Sequence, residues 1–231
     1  NDLMLRLVEI IIMFAPLGIF CLLVSIFSEI GFFIIYDLAG YFFLISFVLI
    51  FHALITYGSI LSFFKLSPII FFRKLREVLL FAFSTSSSSA TMPLTLKTVK
   101  EKLGVDQSVA SFCIPLGATI NMDGTAIMQG IATVFIAQAY GVDLQITDYL
   151  MVILTATLAS IGTAGVPGVG LIMLAMVLQQ VGLPVEGIAL IIGVDRLLDM
   201  IRTAVNVSGD SMIACIISST QGTLNKSKFF G

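Results

Sequence analysis

Charge is scarce in this chain: Lys, Arg, Asp and Glu together supply 11% of its 231 residues. Soluble domains carry roughly 25%, so an ordinary water-exposed surface is excluded. Histidine occurs once, as His52 between Phe51 and Ala53, and reads as a packing residue rather than a ligand or base. The three cysteines, Cys21, Cys113 and Cys215, lie far apart in apolar runs with no CxxC and no partnering histidine. They read as small apolar packing residues. No GxSxG occurs, and His52 is remote from the serine run at 86–89. An intramembrane serine hydrolase therefore lacks its base, and the chain does not read as an enzyme.

Apolar residues are abundant: 58% of the chain, with a mean hydropathy of +1.08. The runs 7–27 and 34–64 reach the ~20 residues that a helix needs to cross a bilayer. Such runs recur along the whole chain, which excludes a cleavable signal peptide. The fold class expected is an all-α, polytopic membrane protein. Asn1 stands close to an apolar helix, so the chain is expected to begin inside a longer protein. A net charge of −2 gives no reason to expect nucleic acid as a partner.

Apart from Arg196 and Arg202, the basic residues cluster at Arg6, at 65–76, at 97–102 and at Lys226/Lys228. The other inter-segment stretches hold only Glu29 and Asp37, Asp143 and Asp148, or Glu186. Basic flanks mark the cytoplasmic side, so 7–27 runs outward and 34–64 inward. The segment 76–96 has basic flanks at both ends, with arms read as too short to cross, so it should enter and return. The segment 148–181, acid-flanked and broken by Gly and Pro, should do the same from outside. Helices 107–139 and 187–220 cross between them.

Four spanning helices and two opposed re-entrant hairpins result. Residues 1–64 form two peripheral helices, 65–221 a transport core and 222–231 a cytoplasmic tail. Irregular backbone at membrane depth must be covered by protein or line a watery cavity. The tips SSSSAT (86–91) and GTAGVPGVG (162–170) should therefore meet near the midplane. An inverted repeat with broken helices at its centre points to a secondary transporter.

The polar residues of the last helix are equally regular. At about 100° per residue, Asp195, Asp199, Arg202, Asn206 and Asp210 share one stripe about 80–100° wide, with Thr203 at its edge. Each ionised side chain in hydrocarbon costs at least ~2.5–3.5 kcal/mol, so the stripe must face protein or a cavity. Asp199 and Arg202, at i and i+3, can neutralise one another, but that leaves Asp195 and Asp210 without partners. A zwitterionic substrate and a cation would supply them. Arg202 suits a carboxylate, Asp199 an ammonium, and Asp210 with Asn206 a hard cation. GATINMDGT (117–125) interrupts an apolar helix with good oxygen ligands, and Asp123 at that depth also needs a cation. A helix N-terminus in the serine run would offer free N–H groups to a carboxylate.

SSSSATMPLTL, GATINMDGTA, ASIGTAGVPGVGLIMLAMVL and D-x3-D-x2-RT-x2-N-x3-D, in that order, resemble the glutamate transporter family, the dicarboxylate/amino acid:cation symporters. The resemblance covers essentially the whole chain and corresponds to that family's C-terminal half. It implies that the α-carboxylate meets Ser88 and Asn206, and that the ammonium meets Asp199 near the carbonyls of Ser86 and Val166. The distal carboxylate would meet Arg202, Thr125 and the Gly170 N–H, with Thr203 in the same wall. It implies one sodium at Gly117, Asn121, Asn206 and Asp210, and a second at Thr119, Ser160, Ile161 and Thr163. A third would use Asn121 and Asp123 with an earlier helix that this chain lacks.

Family members are membrane-embedded homotrimers whose hairpin core slides as an elevator against a scaffold. The resemblance thus implies a multi-pass protein of the cell membrane, surrounded by lipid, with a cytoplasmic C-terminus. Members that carry dicarboxylates lack the Asp at Asp199, and carriers of neutral amino acids lack the Arg at Arg202. With both present, the expectation is a sodium-coupled symporter of aspartate or glutamate, with Na+ as the co-transported ion. A C4-dicarboxylate or neutral amino acid symporter is the runner-up, and a substrate-gated ion or anion channel is the rival from another class. Ser86 and Met200 stand where the flanking arginine of prokaryotic or animal members sits. Gln129 replaces the Glu of proton-coupled animal members, which favours sodium-only coupling, and Met128 stands where many members have Tyr.

Overall fold

The computed structural model describes residues 34–231 and Val24; the expected helix over 7–27, with Arg6 and Cys21, lies outside them. The described residues are helical throughout, with no strand. Helix α1 (Ile34–Phe51) continues through a π-helical turn, His52–Tyr57, into α2 (Gly58–Phe63). Within this run Tyr36–Phe63 is long and apolar enough to cross a membrane.

Helices α3 (Pro68–Thr85) and α4 (Ser88–Glu101) pack against each other as a hairpin. Its arms are longer than the 76–96 read from the sequence. Ser67 caps α3 at its amino end, accepting from the Ile70 N–H, and Pro68 opens the helix; apolar periodicity alone does not reveal such a polar start. The tip is two residues long. Ser86 ends α3 in the left-handed region (φ 51°), and Ser87 caps α4 by accepting from the Ala90 N–H.

The spanning segment expected over 107–139, interrupted at GATINMDGT, is two helices, α5 (Gln107–Ile120) and α6 (Asp123–Ala139), parted at Asn121 and Met122. Asp106 caps α5: the Ser108 hydroxyl and N–H both donate to its carboxylate. Those bonds hold its carboxyl below the usual carboxylate range. A second hairpin joins α7 (Ile146–Ser160) to α8 (Val169–Gln180). Gly168 introduces α8 at φ 81°, a conformation that favours glycine.

Helix α9 (Ile188–Thr220) runs unbroken for 33 residues, roughly 50 Å at 1.5 Å per residue. It is the hub of the fold, packing on α1, on α3 through α6 and on α8. Of the cysteines, Cys113 and Cys215 are buried free thiols.

Residues 222–231 are docked on the body. The short helix α10 (Lys226–Phe230) buries Phe229 completely, and Lys74 Nζ donates to the Lys228 carbonyl. The anchor is Gly104 at φ +71°, whose carbonyl accepts from the Asn225 N–H at 2.8 Å. A side chain there would strike the Asn225 carbonyl and come within 3.1 Å of Lys228 Cβ. Gly104→Ala should therefore destabilise the fold by about 1–3 kcal/mol, read as a lower thermal midpoint in detergent. An unchanged midpoint would show that this anchor contributes little.

Candidate functional site

The two hairpin tips touch. Ser87 Oγ donates to the Gly165 carbonyl at 2.7 Å, and the Ser89 N–H donates to the same oxygen at 3.1 Å. Gly165 permits this approach: a Cβ there would lie 3.0 Å from Ser89 Oγ and 3.1 Å from both Ser88 Cβ and the Ala118 carbonyl. One carbonyl thus ties both tips beside the end of α5. The serine run, weak as a sequence signal, supplies a cap and a bridge from one side chain.

Beneath the tips lies a small, nearly filled polar cavity with a volume of ≈ 10 Å³. Ser86, Ser88, Thr125, Val166, Gly170, Asp199, Arg202, Thr203 and Asn206 all line it, together with Met122, Thr163, Ala164 and Gly165. A larger groove of ≈ 900 Å³ lies between α1, α6 and α7, but Asp37 is its one charged lining residue. It offers no pair of opposite charges to a zwitterion.

The floor of the small cavity belongs to α9. Arg202 is 2% exposed and Asp199 6%, and Arg202 Nη2 donates to Asp199 Oδ1 at 2.6 Å. The other oxygen of Asp199 accepts from the Gly168 N–H at 3.1 Å, so the second tip reaches the same carboxylate. Gly170 lets the backbone of α8 approach the guanidinium, since a Cβ would sit 3.0 Å from Arg202 Nη2. The pair is a buried ion pair closed over by backbone. Separating two charges this buried leaves each uncompensated, so a ligand that parts them must supply charge to both.

One turn on, Asn206 connects α9 to the break between α5 and α6. Its Oδ1 accepts from the Gly124 N–H at 2.8 Å, and its Nδ2 donates to Thr125 Oγ1 at 3.3 Å. The break leaves N–H groups at the start of α6 without helical acceptors, and Asn206 satisfies one. Asn121 Nδ2 donates to Asp210 Oδ1 at 2.9 Å. Gly117 makes room for this carboxylate, because a Cβ would overlap Asp210 Oδ1. Gly117, Asn121, Asn206 and Asp210 are thus gathered along one side of α9.

The second expected cation set is less closely gathered. Ser160 and Thr163 are buried, with hydroxyls bonded to carbonyls of their own segment, whereas Thr119 and Ile161 are exposed. Among the described residues no hydrogen bond links Thr119 to the other three. Nor do three His, Cys, Asp or Glu side chains converge as a metal site among those residues. The candidate cation ligands are instead amides, carbonyls and single carboxylates, the oxygen donors that hard cations use.

Asp123 has partners that the sequence did not reveal. Tyr57 donates from its hydroxyl to Asp123 Oδ2 at 2.8 Å, and His52 Nε2 lies 3.3 Å from the same oxygen. The reading of His52 as a packing residue therefore missed its acidic partner. Its ring does pack edge-on against Tyr57 at 4.7 Å. The π-helical turn between them widens the helix at this point, a feature often found at functional sites. Gly209 accommodates the Tyr57 hydroxyl, which a Cβ would meet at 2.7 Å. The only sequence hint was two polar aromatic side chains five residues apart in an apolar run.

Helices broken at the centre, with a buried ion pair beneath two touching tips, define a helical protein that encloses charge in its core. The comparisons refine that class. The model for the sodium:dicarboxylate symporter family matches residues 1–220, and the chain belongs to that family. Membership places it among membrane-embedded transporters rather than enzymes. It is 44% identical over 227 residues to an excitatory amino acid transporter of Caenorhabditis elegans, covering 94% of this chain and 44% of that protein. It is 37% identical over 228 residues to a proton/glutamate-aspartate symporter of Escherichia coli K12, covering 99% and 52%. A proton/sodium-glutamate symport protein of Geobacillus stearothermophilus is 36% identical over 218 residues, covering 94% and 52%. The chain spans about half the length of these relatives.

The Asp123 contacts can be tested without any ligand. Tyr57→Phe should destabilise the protein by about 0.5–1.5 kcal/mol, because a half-buried carboxylate loses a donor. In an Asp123→Asn background the same change should matter less, with a coupling of about 1 kcal/mol in a double-mutant cycle. Additive effects on thermal unfolding would show that the bond contributes nothing.

Proposed function

We propose that the protein of which this chain is part is a sodium-coupled symporter of acidic amino acids, aspartate or glutamate, working by elevator-type alternating access. The observation that carries this reading is the Arg202–Asp199 pair under the tips. An acidic amino acid brings an ammonium to Asp199 and a second carboxylate to Arg202, replacing one internal ion pair with two. A dicarboxylate without an amino group would leave Asp199 unpaired, and a neutral amino acid would leave Arg202 unpaired. Either loss is penalised in a water-poor site. Relatives named for glutamate, aspartate and excitatory amino acids support the same substrate class.

In this reading the α-carboxylate takes Ser88 and Asn206, and the Ser86 and Val166 carbonyls face the ammonium. Thr125, Thr203 and the Gly170 N–H complete the pocket for the distal carboxylate. Sodium ions take Gly117, Asn121, Asn206 and Asp210, then Thr119, Ser160, Ile161 and Thr163, with Asn121 and Asp123 contributing to a third site. The hairpins α3–α4 and α7–α8 are re-entrant from opposite sides, α1–α2, α5–α6 and α9 cross, and the C-terminus is cytoplasmic. The protein assembles as a homotrimer.

Sodium as the coupled ion draws support from the family description and from the sodium named for one relative. Gln129 carries no titratable proton, which separates this chain from members using a Glu there.

Full-length protein in liposomes should accumulate radiolabelled aspartate only under an inward sodium gradient. Equal uptake in potassium or choline buffer would overturn the sodium coupling, and current without stoichiometric uptake would favour a channel. Arg202→Thr should weaken aspartate binding by about 100-fold, given ~1.5–3 kcal/mol per hydrogen bond to a charged group. Serine or alanine should then be preferred. Aspartate affinity that survives the change would remove Arg202 from the site.

A further inference from the structure

The carboxylate of Asp123 is held from outside the hairpin core. Tyr57 donates to its Oδ2 at 2.8 Å, and His52 Nε2 stands 3.3 Å from the same atom. Both contacts fall on one oxygen, and among the described residues no hydrogen bond from another side chain reaches Oδ1. The Asp123 side chain is 32% exposed and Tyr57 1%, so the phenol is fixed while the carboxylate is reachable. Tyr57 closes the π-helical turn, which packs on α9. A Cβ on Gly209 of α9 would lie 2.7 Å from the Tyr57 hydroxyl and 2.7 Å from Asn121 Nδ2. The phenol therefore sits beside the amide that donates to Asp210 at 2.9 Å. Two carboxylates flank this corner, and among the described residues neither has a Lys or Arg within ion-pair distance. Phenol and amide donors orient such groups but leave their charge uncompensated, and a cation would supply what is missing.

We infer that Tyr57 is a positioning residue for a co-transported cation: by holding Asp123 through Oδ2, it leaves Oδ1 in place for the ion. The inference rests on the reading of Asp123 as a contributor to a sodium site. Tyr57 does not have to touch the ion. A loose aspartate side chain must be ordered by any cation that binds it, at a cost in rotamer freedom. A donor that is itself buried and packed meets that cost when the protein folds, so the ion finds a carboxylate already oriented. Without the hydroxyl, each ion bound must order the carboxylate itself. Neither Tyr57 nor Asp123 lines the cavity beneath the tips. The effect thus falls on the ion and reaches the amino acid only through the coupling between the two. On this inference the ion machinery extends into the α1–α2 run, which the sequence placed at the periphery.

The test follows two readouts against sodium concentration in the purified full-length transporter: the thermal midpoint with sodium alone, and aspartate binding. Choline at equal ionic strength is the control. Tyr57→Phe keeps the ring that packs edge-on against His52 at 4.7 Å and removes only the hydroxyl. Its half-saturating sodium concentration should rise about fivefold in both readouts, the size of one net hydrogen bond. At saturating sodium its aspartate affinity should match the parent's, a result that a general loosening of the fold would not give. Asp123→Asn should also raise half-saturation, and adding Tyr57→Phe to it should shift it no further. If Tyr57→Phe fails to fold, His52→Phe removes the other contact to the same oxygen and should shift sodium the same way. An unchanged half-saturation while Asp123→Asn still raises it would overturn the inference. So would an aspartate affinity that stays lower at saturating sodium, or additive shifts in the double variant. If Asp123→Asn itself leaves the sodium dependence unchanged, Asp123 is no ion ligand and this inference falls with that reading.

Discussion

The cost of burying charge in an apolar helix governs the rest of this structure. Helix α9 carries Asp195, Asp199, Arg202 and Asp210 at 2–6% exposure, and none of them can be left to hydrocarbon. Neighbouring broken helices meet part of that demand. The second tip brings the Gly168 N–H to Asp199, and the α5–α6 break brings Asn121 to Asp210. The site is the consequence of satisfying one stripe.

A second constraint follows from the first. Unbroken helices use their own backbone groups and present only side chains, whereas the cavity beneath the tips is walled partly by backbone. Breaking α5 from α6 frees the Gly124 N–H for Asn206, and ending α3 at Ser86 lets the first tip fold back onto Gly165. Broken helices are stable here because freed groups meet partners elsewhere: the Gly124 N–H and the Gly168 N–H bond to side chains of the unbroken α9, and the Gly165 carbonyl to the first tip. The glycines at 117, 124, 165, 170 and 209 mark places where a side chain would push the partners apart.

Much of this was legible in the sequence because polar residues in an apolar chain stand out. The α9 stripe followed from helical spacing alone, and the two tips from serine and glycine runs inside apolar segments. The nine substrate-site positions named from the family resemblance all line one cavity. What escaped notice has a common character. His52 and Tyr57 are aromatic residues within an apolar helix, where ring packing hides the polar atom's role. The start of α3 at Pro68 rather than near residue 76 depends on a cap, and the π-helical turn has no sequence signature.

By itself the sequence determined the helical class, the unusual cost of α9, and the places where helices must break. These follow from composition and from the 3.6-residue period, both properties of the chain in isolation. Tertiary structure alone decided which group answers which. That Gly165 ties the two tips, that Asp199 shares itself between Arg202 and a hairpin N–H, and that Tyr57 serves Asp123 all depend on residues up to 78 positions apart being brought within a few ångströms. Local periodicity specifies which face of a helix is polar. It carries no information about which distant backbone or hydroxyl group will satisfy that face.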